Sequence, residues 1–103
     1  MATYFVSHAY GGKKENYENA KKITHDLQVA NPQDCFLCAL LALSHLEYSE
    51  MGYDAQFEIC LDLLSLCDGL IVASEISEGV RREIEFAKMV GMEVEYIEPQ
   101  NPG

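Results

Sequence analysis

The chain is poor in positive charge. Seven Lys and Arg stand against 17 Asp and Glu in 103 residues, for a formal net charge of -10. A phosphate backbone requires a basic footprint, so DNA and RNA polymers are not expected partners, and the same repulsion disfavours an anionic membrane surface. Long apolar runs are missing as well. The longest, Phe36 to Leu43, is far short of the ~20 residues of a transmembrane helix, and no basic stretch precedes an apolar one near Met1. A soluble, cytoplasmic protein is expected.

Metal-ligand spacing is absent too. Cys35 and Cys38 form a C-x-x-C pair, but Cys60 and Cys67 lie seven apart, so no second close pair completes a tetrahedral site. The histidines His8, His25 and His45 show no metal pattern, and neither a metal nor a cofactor is expected. Each cysteine sits among Leu, Phe or Ile, where a free thiol acts as a small buried hydrophobe. Neither G-x-G-x-x-G nor a P-loop occurs, and no Ser-His-Asp or Cys-His arrangement follows from the spacing.

What is present is apolar material for one core, 49% of the residues, in a chain too short for two. A single domain over 1–98 with a short flexible tail over 99–103 is expected. Thr3 to Val6 is β-prone and ends in the turn-rich Ser7 to Gly12. From Glu15, the residues Tyr17, Ala20, Ile23, Thr24 and Leu27 recur at helical spacing until Asn31 and Pro32. Cys35 to Cys38 reads as a second strand, and Ala39 to Gly52 is compatible with a helix or a long functional loop. Tyr53 to Leu66 reads as a helix, Gly69 to Ala73 as a strand, Gly79 to Val90 as a helix stopped by Gly91, and Glu93 to Ile97 as a strand.

Strands separated by helices imply parallel pairing through right-handed crossovers. The expected fold is α/β, a flavodoxin- or Rossmann-like three-layer sandwich around a four-stranded, mostly parallel sheet of order 2-1-3-4. Ligands of such sheets bind beyond the carboxyl ends of the strands, where the winding reverses. With this order the reversal lies between the first and third strands, and the loops Ser7 to Gly12 and Ser74 to Gly79 face each other.

The first loop, Ser7-His8-Ala9-Tyr10-Gly11-Gly12, carries paired glycines that permit close backbone approach to a phosphate or sugar, or that simply make a turn. In the second, Ser77 is placed to cap the helix that follows, whose N-terminus favours an anion, with Arg81 and Arg82 in its first turns. Glu83 lies three residues after Val80 and four before Ala87, within or beside the apolar stripe of that helix, while Glu85 faces solvent. Gly79 and Ala87 leave space along the helix beside Glu83. His8 and His45 are placed to border the crevice, and Tyr4, Tyr10, Tyr48 and Tyr53 offer stacking surfaces or hydroxyl donors.

Three stretches together resemble the nucleoside 2-deoxyribosyltransferase superfamily, which includes deoxynucleoside monophosphate N-glycosidases. They are Tyr4-Phe5 with the loop ending Tyr10-Gly11-Gly12, the run Cys67-Asp68-Gly69-Leu70-Ile71-Val72, and Ser77-Glu78-Gly79-Val80 leading to Glu83-Ile84 and Ala87. The resemblance covers nearly the whole chain. It implies that Glu83 attacks an anomeric carbon as the nucleophile, with Tyr4 orienting it. It further implies that the first loop, with Ser7, His8, Tyr10, Gly11 and Gly12, holds the sugar or base. Ser77, Gly79 and Arg81 at the helix end would hold a 5′-phosphate, and His45 would border the ligand. A nucleoside or nucleotide substrate and a homodimer or larger homo-oligomer are likewise implied. Two departures stand out. The family's second carboxylate, which manages the proton on the leaving base, is replaced by Cys60, and its first-loop arginine is replaced by Tyr10. A non-catalytic nucleotide-binding or signalling module using the same crevice is therefore the alternative to an N-glycosidase or deoxyribosyltransferase. An acidic interaction protein is a third reading, and it expects the crevice to be closed by side chains.

Overall fold

A computed structural model describes residues 1–46 and 48–97, without the side chains of Tyr48 and Ser49. The expected tail 99–103 and the candidate stacking ring of Tyr48 lie outside the described residues. Strands β1 (Thr3–Ser7), β2 (Cys35–Leu37), β3 (Gly69–Val72) and β4 (Glu93–Tyr96) form one sheet in the order β2-β1-β3-β4, and every pairing is parallel. The crossovers are carried by helices α1 (Lys14–Ala30), α4 (Tyr53–Ser65) and α5 (Glu78–Met89). The stretch that read as either helix or loop contains two single-turn helices, α2 (Ala39–Ala42) and α3 (Tyr48–Met51).

Sequence position in the sheet follows burial. Central β3, Gly-Leu-Ile-Val, is buried at all four residues, as a strand covered on both faces should be. Edge strand β4 alternates the exposed Glu93 and Glu95 with the partly buried Val94, and those charges discourage pairing with another edge. The opposite edge is β2, where Cys35 is exposed, so the expectation of a buried thiol fails there: an edge strand leaves one side of the chain uncovered. Cys38 and Cys67 are buried, Cys60 is partly buried, and all four are free.

Side-chain alternation along β1 divides the interior in two. Phe5 points to the face covered by α4 and α5, where it packs with Leu64, Leu70, Val72, Val80, Ile84 and Ala87. Val6 points to the opposite face and packs with Ala20, Cys38 and Ala73 beneath α1. The start of the sheet is pinned by two aspartates: Asp34 Oδ1 accepts from the Ala2 amide at 3.1 Å, and Asp68 Oδ2 accepts from the Thr3 amide at 2.8 Å.

Two glycine-dependent turns set the ends of the helices that frame the crevice. Gly11 and Gly12 have φ of 59° and 71°, and the Lys13 amide donates to the Tyr10 carbonyl across them at 3.0 Å. After α5, Gly91 at φ 77° lets Met92 donate to Ala87 at 2.8 Å while Gly91 donates to Lys88 at 3.2 Å, satisfying carbonyls that the helix end would leave free.

Candidate functional site

The winding reversal between β1 and β3 opens a cleft of about 710 Å3. An open cleft removes the support for the third reading, since the crevice is not filled by side chains. One wall comes from the β1–α1 loop and the first turns of α1, with Tyr10, Gly11, Gly12, Lys14, Tyr17 and Glu18. A second comes from α2 and the segment after it, with Leu40, Leu43, Ser44 and Leu46. The third is the inner side of α4 and the entry to α5, with Tyr53, Gln56, Phe57, Cys60, Ser77 and Gly79. The floor is Ser7 and Glu83.

Glu83 is only 7% exposed because the α5 stripe of Val80, Ile84 and Ala87 presses its side of the helix onto the sheet. Ser7, at the carboxyl end of β1, points to the same face as Phe5 and donates from its Oγ to Glu83 Oε1 at 2.5 Å. Oε2 has no protein hydrogen bond among the described residues. Burial pushes the carboxyl up to about 7, and the Ser7 hydrogen bond works in the opposite direction by favouring the charged form. Near neutrality this group exchanges between acid and carboxylate.

The Tyr4 expectation is corrected by strand parity. Tyr4 and Ser7 are three residues apart on β1, so their side chains leave opposite faces. Tyr4 stacks on Phe36 at 5.5 Å, on the α1 side, and its ring edge lies where a Cβ on Gly69 would fall. Ser7, and not Tyr4, positions Glu83. Replacing Tyr4 with Phe should leave the titration of Glu83 in place, whereas Ser7→Ala should raise its midpoint above 7. Carboxyl-resolved NMR titration of the two variants checks this, and a shift in Tyr4→Phe of the size seen in Ser7→Ala would refute the assignment.

His8 lines the cleft, yet both ring nitrogens are committed to protein. Nδ1 lies 2.7 Å from the Ala9 carbonyl, so it carries the proton and donates, and Nε2 then accepts from Asn19 Nδ2 at 2.9 Å. Its work is to hold the first loop against α1. His45 is exposed and is not a lining residue, although its neighbours Ser44 and Leu46 are. The chain turns there so that only those two face inward.

At the start of α5, Ser77 Oγ accepts from the Val80 amide at 3.3 Å, as a cap should. Arg81 departs from its expected place. It is turned outward along the helix, bonded to Glu78 at 2.6 Å and to Glu85, so helix-surface pairing takes it away from the cleft. The expected space beside Glu83 is not found at Ala87, which is fully buried and does not line the cleft. Gly79 does line it, and a Cβ there would come within 3.3 Å of the Tyr53 hydroxyl, so the missing side chain is what lets Tyr53 approach. Arg82 lies with its guanidinium 4.2 Å from the Phe57 ring centre, and Phe57 stacks on Tyr53 at 5.9 Å and 18°. An aromatic wall backed by a cation results.

Cys60 stands in the cleft on α4. Its thiol is pushed up to about 11, first by burial and then by the nearby charge of Glu83, so it stays protonated at neutral pH. Glu58 and Asp62, two residues to either side on the helix, are exposed and do not line the cleft. Among the lining residues that were not anticipated are Lys14, Glu18 and Gln56. Lys14 and Glu18 are one helical turn apart at the start of α1, beside Tyr17, and that spacing was a usable signal. Gln56, a polar side chain among Tyr53, Phe57 and Cys60 on one helix face, was another. Among the described residues no cluster of His, Cys, Asp and Glu is arranged to hold a metal ion, and no helix is long and apolar enough to cross a membrane. Comparison with family models, curated proteins and solved structures finds no match to this chain.

Proposed function

We propose that the cleft binds a nucleoside or nucleotide and that Glu83 cleaves its N-glycosidic bond. The observation that carries the reading is a buried carboxylate on the floor of a cleft, with one oxygen held by Ser7 at 2.5 Å and the other left to a ligand. The exposed ring of Tyr53, stacked on the buried Phe57, offers planar apolar surface for a base, and the paired glycines of the first loop permit close approach of a sugar. The resemblance of Ser77-Glu78-Gly79-Val80 through Glu83 to deoxyribosyltransferases supports the same role. A 5′-phosphate would meet the capped end of α5 and Lys14, the latter taking the place expected of Arg81.

In this reaction the ionised Glu83 attacks C1′ as the C1′–N bond breaks, and the bonding pair leaves with the base, which takes up a proton. Water then adds its oxygen to C1′ and gives up a proton to solvent as the C1′–O bond to Glu83 breaks, restoring the carboxylate and giving a free sugar or sugar phosphate. Cys60, with a thiol near 11, is too weak an acid to protonate the base efficiently, so solvent entering the open cleft supplies that proton. Bases that leave readily should be the better substrates.

Chromatography of nucleosides and 5′-nucleotides incubated with the protein tests the reading. Base release is expected to rise with pH through about 7 as Glu83 ionises, and to vanish in Glu83→Gln. Equal release by Glu83→Gln would rule out the nucleophile. Cys60 favours a second reading, a binding module without turnover, whose outcome is thermal stabilisation by nucleotides with no base released.

A further inference from the structure

Gln56 is 8% exposed, lines the cleft one helical turn before Cys60, and its Oε1 is buried without a hydrogen-bond partner. A buried carbonyl oxygen that has lost water and gained nothing is unfavourable in the empty protein. The cost falls when the carboxamide turns to meet an N–H donor that a bound molecule brings into the cleft. Nothing in the catalytic reading uses this amide, because Glu83 is served by Ser7 and the proton on the base comes from solvent.

We propose that Gln56 is the specificity-determining residue of the cleft and selects a base that presents an N–H donor beside an acceptor. Tyr53, three residues before Gln56 and 41% exposed, stacks on the buried Phe57, which Arg82 backs, and provides the flat surface against which such a ring would lie. A ring stacked there would meet the carboxamide through its polar edge, since its faces carry no hydrogen-bonding group. That group offers an acceptor oxygen and N–H donors side by side, so it matches a lactam edge, N–H next to C=O, through two hydrogen bonds. A purine ring without a 6-substituent has no donor on that edge and leaves Oε1 unpaired, and sites built around a hydrogen bond discriminate strongly against ligands that lack the partner.

The proposal rests on the cleft being a nucleoside site, and calorimetric titration separates the two claims. Hypoxanthine 2′-deoxyriboside and purine 2′-deoxyriboside are titrated into the full chain carrying Glu83→Gln, which blocks turnover, with and without Gln56→Met. With Gln56 present, hypoxanthine deoxyriboside should bind about tenfold more tightly than its purine analogue, the worth of one good hydrogen bond. With Gln56→Met the preference should fall below about twofold, and thermal unfolding should show no loss of stability, since the buried oxygen bonds to nothing. A preference unchanged in Gln56→Met overturns the assignment while leaving the nucleoside site intact. A lowered melting temperature in that variant also overturns it, because the amide would then be holding the fold. Absence of binding by either nucleoside to either protein overturns the nucleoside site itself, and this inference with it.

Discussion

If the proposed reaction holds, replacing Glu83 with glutamine is expected to abolish base release and, at pH 8, to raise the melting temperature by about 15 °C. The two effects have one cause. Burial holds the carboxyl at about 7 in the folded protein against an ordinary value of 4.5, so the folded state binds this proton more tightly than the unfolded chain does. Below pH 4.5 both states are protonated and the group costs nothing. Between 4.5 and 7 the unfolded chain ionises first and stability drains away, and above 7 the loss is complete, amounting to about 3 kcal/mol at 1.36 kcal/mol for each unit of displacement. A glutamine keeps the shape and still accepts from Ser7 through its amide oxygen, but it never carries the charge. Melting curves of both proteins at pH 4.5, 6 and 8 should therefore nearly coincide at the lowest pH and separate as pH rises, levelling off above 7. A gap independent of pH, or a glutamine variant less stable at pH 8, would show that burial of the charge is not what strains this position. An isosteric change that stabilises the fold while removing activity is what a functional carboxylate in an apolar stripe should give.

The same residue shows why so much of the architecture was legible in the sequence and why parts of the site were not. Strand β3 is announced by Gly-Leu-Ile-Val, α5 by the spacing of Val80, Ile84 and Ala87 with Ser77 before and Gly91 after, and the reversal between β1 and β3 follows from the order 2-1-3-4. Helical periodicity places Glu83 beside the stripe, and the structure buries it there. What periodicity along one element does not report is which of its neighbours across the fold it meets. Ser7 and Tyr4 lie on the same short strand, and only the direction of its pleat relative to α5 decides that Ser7 reaches Glu83 while Tyr4 stacks on Phe36. Arg81 read as a cleft cation because the helix N-terminus attracts anions, but Glu78 and Glu85, three before and four after, capture it on the surface. Residues 39–52 gave no single periodicity because they divide into two turns of helix too short to express one. The leucines they send into the cleft look, in sequence, like ordinary core.

Placing a carboxylate on the α4 wall should raise the proposed activity most. In Cys60→Asp, base release near pH 6.5 is expected to rise by about 10²- to 10⁴-fold, the ordinary worth of a positioned general acid. Cys60 lines the cleft on the face of α4 that carries Gln56, and Glu83 is near enough for its charge to hold the thiol up. An aspartate there meets the same two influences, burial and a neighbouring negative charge, and both favour its protonated form. It can then give its proton to the departing base while Glu83, ionised, attacks C1′ from the floor. The pH profile should change shape together with the rate. Under the proposed reaction the native profile should rise through about 7 and stay high, whereas the variant should fall again at higher pH as the pair loses its second proton, giving a bell whose two limbs belong to the coupled carboxyls and to neither alone. Cys60→Ala is the control, since it removes the thiol without adding an acid and should leave the native profile in place. Nucleotide binding that persists in Cys60→Asp with no gain in release would decide for the non-catalytic reading, because a cleft that binds the substrate and holds both carboxyls yet does not turn over is not built around the scissile bond.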